Sequence, residues 1–98
     1  MTEKLERLAA AGIQVLPAPG AGNHFFLERD GFVALVRGTT EGFGQPGAAG
    51  LITQKGLAVL VWRGDAPFFV ARGFELPAAA TQVEALRQFD ADVRAALA

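Results

Sequence analysis

Five polar side chains near the middle of the sequence have the chemistry to bind an anion or to move a proton. His24 and Arg37 belong to one predicted hairpin, and Thr39, Thr40 and Glu41 follow Arg37 almost directly. The register of that hairpin places His24 opposite Arg37, so these groups and the amides of the next glycines would surround a small anion. His24 and Glu41 would then also be near enough to shuttle a proton.

The glycines that follow have a spacing that also occurs in nucleotide-binding loops. Gly42, Gly44 and Gly47 form G-x-G-x-x-G after a predicted strand, and Asp65 ends the next apolar strand where a ribose-binding acid would lie. The helix of that fingerprint is missing, because residues 48–56 are too few for a parallel crossover of about a dozen residues. A glycine-rich connection between antiparallel strands is therefore the favoured interpretation, and a nucleotide site is the alternative.

Catalysis and metal binding have little support in the residue types. The chain has one histidine and no cysteine, which excludes a zinc centre made of several such ligands. Thr39 and Thr40 have no convincing base beside them, and no pair of carboxylates lies on one predicted strand. We predict no catalytic residue, no metal site and no cofactor. The plainer alternative for the polar cluster is that His24 begins a strand and Arg37 ends one, both in solvent.

The overall composition limits the class of protein. A chain of 98 residues fits one domain, residues 1–98, with one core. The formal net charge is −1 and the nine Lys and Arg residues are scattered singly, so nucleic acid is not an expected partner. The N-terminal MTEKLERLAAAG predicts neither a signal peptide nor a membrane segment. With no cysteine and more arginine than lysine, we expect a cytoplasmic protein from a bacterium with GC-rich DNA.

Two hairpins are the strongest structural signals. Asp30-Gly31 suits a two-residue type I′ turn, and it joins the predicted strands 24–29 and 32–37. A second hairpin is predicted from apolar runs at 57–62 and 67–72. Apolar residues alternate in the first hairpin and occupy both faces of the second, which is typical of edge and central strands of one sheet.

Helical periodicity marks both ends of the chain. The apolar spacing predicts a short helix over residues 3–11 and a longer helix over 82–97. Thr81 and Glu84 form a capping box at the start of the second helix. Each helix has one apolar stripe, so each should pack across a sheet.

These elements predict an α+β fold. We expect a single antiparallel β-sheet of four to five strands, made of the two hairpins and a short strand at 13–16, with both helices packed on one face. Residues 38–56 are predicted to form a long glycine-rich loop.

One face of the predicted sheet has no cover. Alternation places Phe26, Val33 and Leu35 opposite the core face, and Trp62 adds aromatic area in the second hairpin. Such a patch is too large for a monomer, so we expect a homodimer through this face or along the glycine-rich edge. The alternative is that the 38–56 loop folds over the face.

The predicted function is a non-enzymatic binding or protein-interaction module that acts as a homodimer and could also bind an unidentified protein. The alternative is a small-anion or nucleotide-binding domain, or a small enzyme, that uses the polar cluster at His24 and Arg37.

Overall fold

A meander of antiparallel strands occupies the chain between two helices. The computed structural model describes residues 2–18, 23–39, 42–54 and 56–98. The elements are α1 (Thr2–Ala10), β1 (Gln14–Pro17), β2 (His24–Arg29), β3 (Phe32–Thr39), β4 (Gly42–Phe43), β5 (Ala49–Thr53), β6 (Gly56–Arg63), β7 (Ala66–Ala71), β8 (Phe74–Pro77) and α2 (Ala80–Leu97).

The first hairpin has the predicted turn and register. Asp30 and Gly31 have φ angles of 56° and 88°, as a type I′ turn requires at both central positions. Arg29 pairs with Phe32 next to the turn, and His24 pairs with Arg37 at the open end. The prediction for β2 and β3 is therefore confirmed.

The prediction of a sheet of four to five strands is wrong, because the described residues alone form a sheet of eight strands. Seven of them lie in a row in the order β1-β2-β3-β5-β6-β7-β8, and β4 pairs with the end of β3. Two of the additional strands, β4 and β5, come from residues 38–56, which had been predicted to be a loop. The other is β8, a strand of only four residues with a glutamate and a proline, which gives too short an alternation to stand out.

Close strand packing explains why a glycine-rich segment forms β5 in the middle of the sheet. A Cβ atom on Gly50 would lie 2.3 Å from the carbonyl oxygen of Ala58 on β6. Only glycine fits at that distance, so the residue that looks like a strand breaker is what lets β5 pair with β6.

A bulge separates β4 from β5. The ladder pairs Gly38 with Phe43 and Ala34 with Ala49, so the five residues 44–48 lie opposite the three residues 35–37. The Gly44 and Gly47 N–H groups donate to the carbonyl oxygens of Arg37 and Leu35 and thus continue the pairing across this bulge.

Both helices pack on one face of the sheet. Leu8 of α1 and Phe89 of α2 are fully buried in the same core cluster as Leu27, Ala34 and Phe69 from the sheet. The predicted stripe of α2 is also seen, and its buried members are Val83, Leu86, Phe89, Val93 and Ala96.

The helix α2 begins two residues earlier than predicted. Its N-cap is Ala79, whose N–H donates to the side-chain oxygen of Gln82 at 2.8 Å. Gln82 is thus the side chain that closes the capping box, as had been predicted for Glu84. Glu84 instead forms an ion pair with Arg87, three residues further along α2. The alanines before Thr81 permit this because they favour helix and carry no competing side-chain hydrogen bond.

One arginine connects three elements at the edge of the core. Arg29 of β2 donates to the Ala11 carbonyl oxygen after α1 at 2.8 Å and forms an ion pair with Asp92 of α2 at 2.9 Å. Its guanidinium also lies over the ring of Phe89, 5.6 Å from the centroid. These contacts hold both helices to the end of the first hairpin.

Candidate functional site

The predicted polar cluster lies where the first hairpin ends. His24 and Arg37 are cross-strand partners. Beyond them, the Gly38 N–H donates to the Asn23 carbonyl oxygen, and the Asn23 side-chain amide donates to the Gly38 carbonyl oxygen. Thr39 is the last residue of β3, whereas Thr40 and Glu41 lie outside the described residues. The structure thus brings His24 and Arg37 together as the register predicted, and the ligand role of this cluster stays a prediction.

The glycine amides of the predicted anion site have other partners. The N–H groups of Gly44 and Gly47 bond to carbonyl oxygens of β3, and Gly42 pairs with Thr39 in the ladder. Because a ladder hydrogen bond already satisfies the Gly44 and Gly47 donors, these two N–H groups are not free to bind an anion.

A cavity of about 480 Å³ borders the bulge on the helix side of the sheet. Gly44 is one of its lining residues, and the cations Lys4 and Arg94 belong to the same wall. Arg94 is also bonded to Asp90, one turn earlier on α2, at 3.1 Å. The remaining lining residues are Phe43, Gln45, Pro46, Leu97 and Ala98.

The other face of the sheet is largely apolar, and neither of the two helices in the described part of the chain packs on it. Strand register puts one row of side chains across it, in which Leu16, Phe26 and Leu35 are followed beyond the 44–48 bulge by Val61 and Phe68. A second row contains Val33, Gly50, Val59 and Val70. The Cα atoms span only 19 Å in the shortest direction, which leaves room for the sheet and one layer of helices with a diameter of about 10 Å. We call this surface the open face.

The open face is bare to different extents along its length. Leu16, Ile52 and Val59 are each 38–41% exposed, whereas Val33 is only 2% exposed. The other apolar side chains of the two rows are partly buried. Arg63 lies over the ring of Phe68 and forms an ion pair with Glu75 on β8, so one end of the open face is polar.

Three of the four residues predicted for an interface lie on the open face. Phe26, Val33 and Leu35 do, but Trp62 lies on the helix-bearing face because it pairs with Pro67, two residues from the core pair Leu60 and Phe69. Sequence reasoning did not single out Val59, Val61, Phe68 and Val70, although the apolar character of both faces of the second hairpin was the available signal.

Proline blocks both edges of the sheet. The Ala18 N–H donates to the carbonyl oxygen of His24, and the Ala78 N–H donates to the carbonyl oxygen of Pro67. Because the direction of the backbone N–H alternates along a strand, these two bonds show which N–H groups of β1 and β8 point toward the sheet and which point away from it. Pro17 and Pro77 then occupy outward-facing positions, where the missing N–H removes a donor for any added strand. Within the glycine-rich segment β5 lies between β3 and β6 and is not an edge, whereas β4 pairs only with β3 among the described strands.

The described part of the chain lacks the features that several other kinds of site require. No group of three or more potential metal ligands occurs there, and no polar or charged residue there is buried. No described helix is long and apolar enough to cross a membrane. Comparison with protein-family models, with curated proteins and with solved structures found no match.

Proposed function

We propose that this protein is a non-enzymatic interaction module that forms a homodimer through its open face. The observation that carries the proposal is that the apolar side chains of Leu16, Phe26, Leu35, Val61 and Phe68 share a face on which neither described helix packs. The chemical reason is that water is excluded from this row only when a second surface covers it. A cytoplasmic, bacterial setting fits the lack of cysteine and is part of the same proposal.

The size of the open face supports an interface of this kind. Seven strands about 4.8 Å apart, each about 17 Å long, give a flat area of roughly 500 Å², which side-chain relief increases. Stable interfaces bury about 800 Å² on each partner, so the open face and its rim approach that size. A second copy of the chain would bring the same area from its own open face.

The charges around the open face favour a second copy as the occupant. Glu28 and Glu75 lie at the ends of one row, and Arg37 and Arg63 lie beyond the other row. A two-fold arrangement can bring opposite charges from the two copies together, and the net charge of −1 adds little repulsion. The prolines at both edges leave the face as the favoured surface for self-association.

The test is the association state of a charged variant. Val59→Lys places an ammonium group in the open face and should convert the dimer to a monomer in sedimentation equilibrium at high micromolar concentration. Leu5→Lys is the matched control, because Leu5 is exposed to nearly the same fraction but lies on α1. Circular dichroism would check that both variants fold. A wild-type protein that is monomeric at that concentration contradicts the proposal.

Small-anion binding is the second candidate function, and the cationic cavity beside Gly44 favours it. A thermal-shift panel of phosphate, nucleotides and carboxylates would detect such a ligand, since a bound ligand stabilises the folded state. Loss of the shift in Lys4→Ala would assign the ligand to the cavity, and loss in His24→Ala and Arg37→Ala would assign it to the hairpin end. No shift with any ligand on the panel would remove this candidate.

A further inference from the structure

A partly exposed tryptophan lines a cavity at the opposite end of the helix-bearing face. Trp62, the only tryptophan in the chain, is 48% exposed. It is the cross-strand partner of Pro67 on β7, and Pro67 in turn accepts a hydrogen bond from Ala78 after β8. The first two turns of α2 form the opposite wall of a cavity of about 350 Å³, which includes Val83. This volume lies in the range of sites that bind small molecules or single side chains.

The cavity exists because the helices do not cover the whole sheet. The row of seven strands is about 29 Å wide, whereas two helices side by side cover about 20 Å. Leu76 on β8 is also 40% exposed on the same face, which marks this end as the uncovered part. Ala78 and Ala80 have side chains too small to fill the remaining space.

The rim of this cavity is acidic. Asp65 at the tip of the second hairpin and Glu84 on α2 both line it, and among the described residues no ion pair to Asp65 is seen. Arg87 is the one cation of the lining, and it is bonded to Glu84 at 3.2 Å with both side chains more than half exposed. Exposed pairs of this kind contribute little free energy, so Arg87 can move aside for another cation.

We infer that this cavity, which we call the Trp62 pocket, binds an arginine or lysine side chain from a basic segment of a partner polypeptide. The aliphatic part of such a side chain would lie on Trp62 and Pro67, and its charge would face the tryptophan ring and the carboxylates. Exposed tryptophan at a pocket is also the residue type that most often dominates protein interfaces. The pocket and the open face are on opposite sides of the sheet, so a dimer would leave the pocket accessible.

The experiment uses fluorescently labelled, acetylated hexa-arginine amide and measures its anisotropy at about 0.15 M salt, where charges beyond about 8 Å are screened. Hexacitrulline amide has nearly the same shape without the charge and should bind at least about tenfold more weakly. Emission from Trp62 in the wild-type protein should change on titration with unlabelled hexa-arginine. Equal binding of both peptides would overturn the proposal.

Variants of the pocket locate the binding. Trp62→Leu keeps an apolar side chain but removes the indole ring, and it should raise the Kd about three- to tenfold. Asp65→Asn and Glu84→Gln should each raise it about two- to fivefold, whereas Arg87→Gln should lower it because a competing cation is gone. Unchanged binding in Trp62→Leu and in Asp65→Asn would overturn the proposal.

Controls separate the pocket from general charge attraction and from dimer formation. Glu6→Gln removes the same unit of charge from α1, far from the lining residues, and should leave the Kd within about twofold. An effect as large as that of Glu84→Gln would mean non-specific attraction and would contradict the pocket. Val59→Lys should retain peptide binding, so failure of the homodimer proposal and failure of this one give different results.

Discussion

At the scale of single residues, Asp92 shows how one ion pair makes the fold sensitive to pH. The side-chain amide of Gln88 and then the guanidinium of Arg29 hydrogen-bond to the Asp92 carboxylate, and together they lower its pKa from the ordinary 3.8. A carboxyl group whose pKa is lower in the folded state stabilises that state above the unfolded pKa. This stabilisation is lost as the pH falls through the folded pKa.

We therefore expect Asp92→Asn to be less stable than the wild type at neutral pH, with a difference that shrinks below about pH 4. Urea unfolding midpoints at a series of pH values would measure it. In an Arg29→Met background the effect of Asp92→Asn should be smaller at neutral pH, because the ion pair is already absent. A difference in stability between Asp92→Asn and the wild type that stays constant down to pH 2 would contradict this expectation.

At the scale of elements, local signals and long-range contacts account for what the sequence predicted and what it did not. The Asp30-Gly31 turn and the register of His24 with Arg37 follow from φ angles and chain alternation, which are local. The strand at Gly50 could not be predicted, because glycine suits a strand only when another strand comes close, and that strand lies elsewhere in the chain.

The candidate sites also differ in whether local sequence signals or long-range contacts determine them. The open face was predicted for the first hairpin, since alternation there decides which side chains share a face. The face of Trp62 depends on the register of the second hairpin, where Arg63 pairs with Ala66 around a two-residue turn. The exposure of the Trp62 pocket depends on how far the helices reach across the sheet, and this is not encoded locally.

Gly50→Ala tests the close approach of β5 and β6. The added Cβ would overlap the Ala58 carbonyl oxygen, so the strands must separate, and we expect the free energy of unfolding to fall by about 2–3 kcal/mol. Gly44→Ala is the control, because a Cβ there has its nearest neighbour at an ordinary 3.6 Å and Gly44 has no positive φ. Its change should stay below about 1 kcal/mol. Equal effects of both substitutions in urea unfolding would argue against tight packing at Gly50.

At the scale of the whole molecule, the sheet has two kinds of surface through which copies could associate, its two edges and its open face. The edges contain a residue that opposes association, and the open face does not. The edges at β1 and β8 each place a proline where an outward N–H would be, whereas the open face has apolar rows over which neither described helix packs. An added strand at an edge repeats without limit, while a two-fold contact between faces closes after two copies. This contrast is the reason why we propose a finite assembly, the homodimer, and not a growing one.

Replacing Pro17 and Pro77 restores a backbone N–H that points outward at each edge of the sheet. This change should allow copies of the chain to add to one another without limit. We expect the double variant Pro17→Thr with Pro77→Thr to form larger particles over time, which light scattering and sedimentation velocity would detect. Pro46→Thr makes the same chemical change within the bulge, away from both edges, and should behave as the wild type does. A double variant that stays the same size would mean that the edges are protected by something other than proline.

The meander order has a consequence for the way the chain folds during synthesis. Every strand of the row pairs with the next strand of that row along the sequence, so the sheet can form from short-range contacts as the chain leaves the ribosome. The core side of that sheet must wait for α2, since Leu86, Phe89 and Val93 belong to the helix that follows all eight strands. Until α2 has been synthesised, apolar side chains on both faces of the sheet lack a helix to cover them, and exposed apolar surface of this kind promotes aggregation during folding.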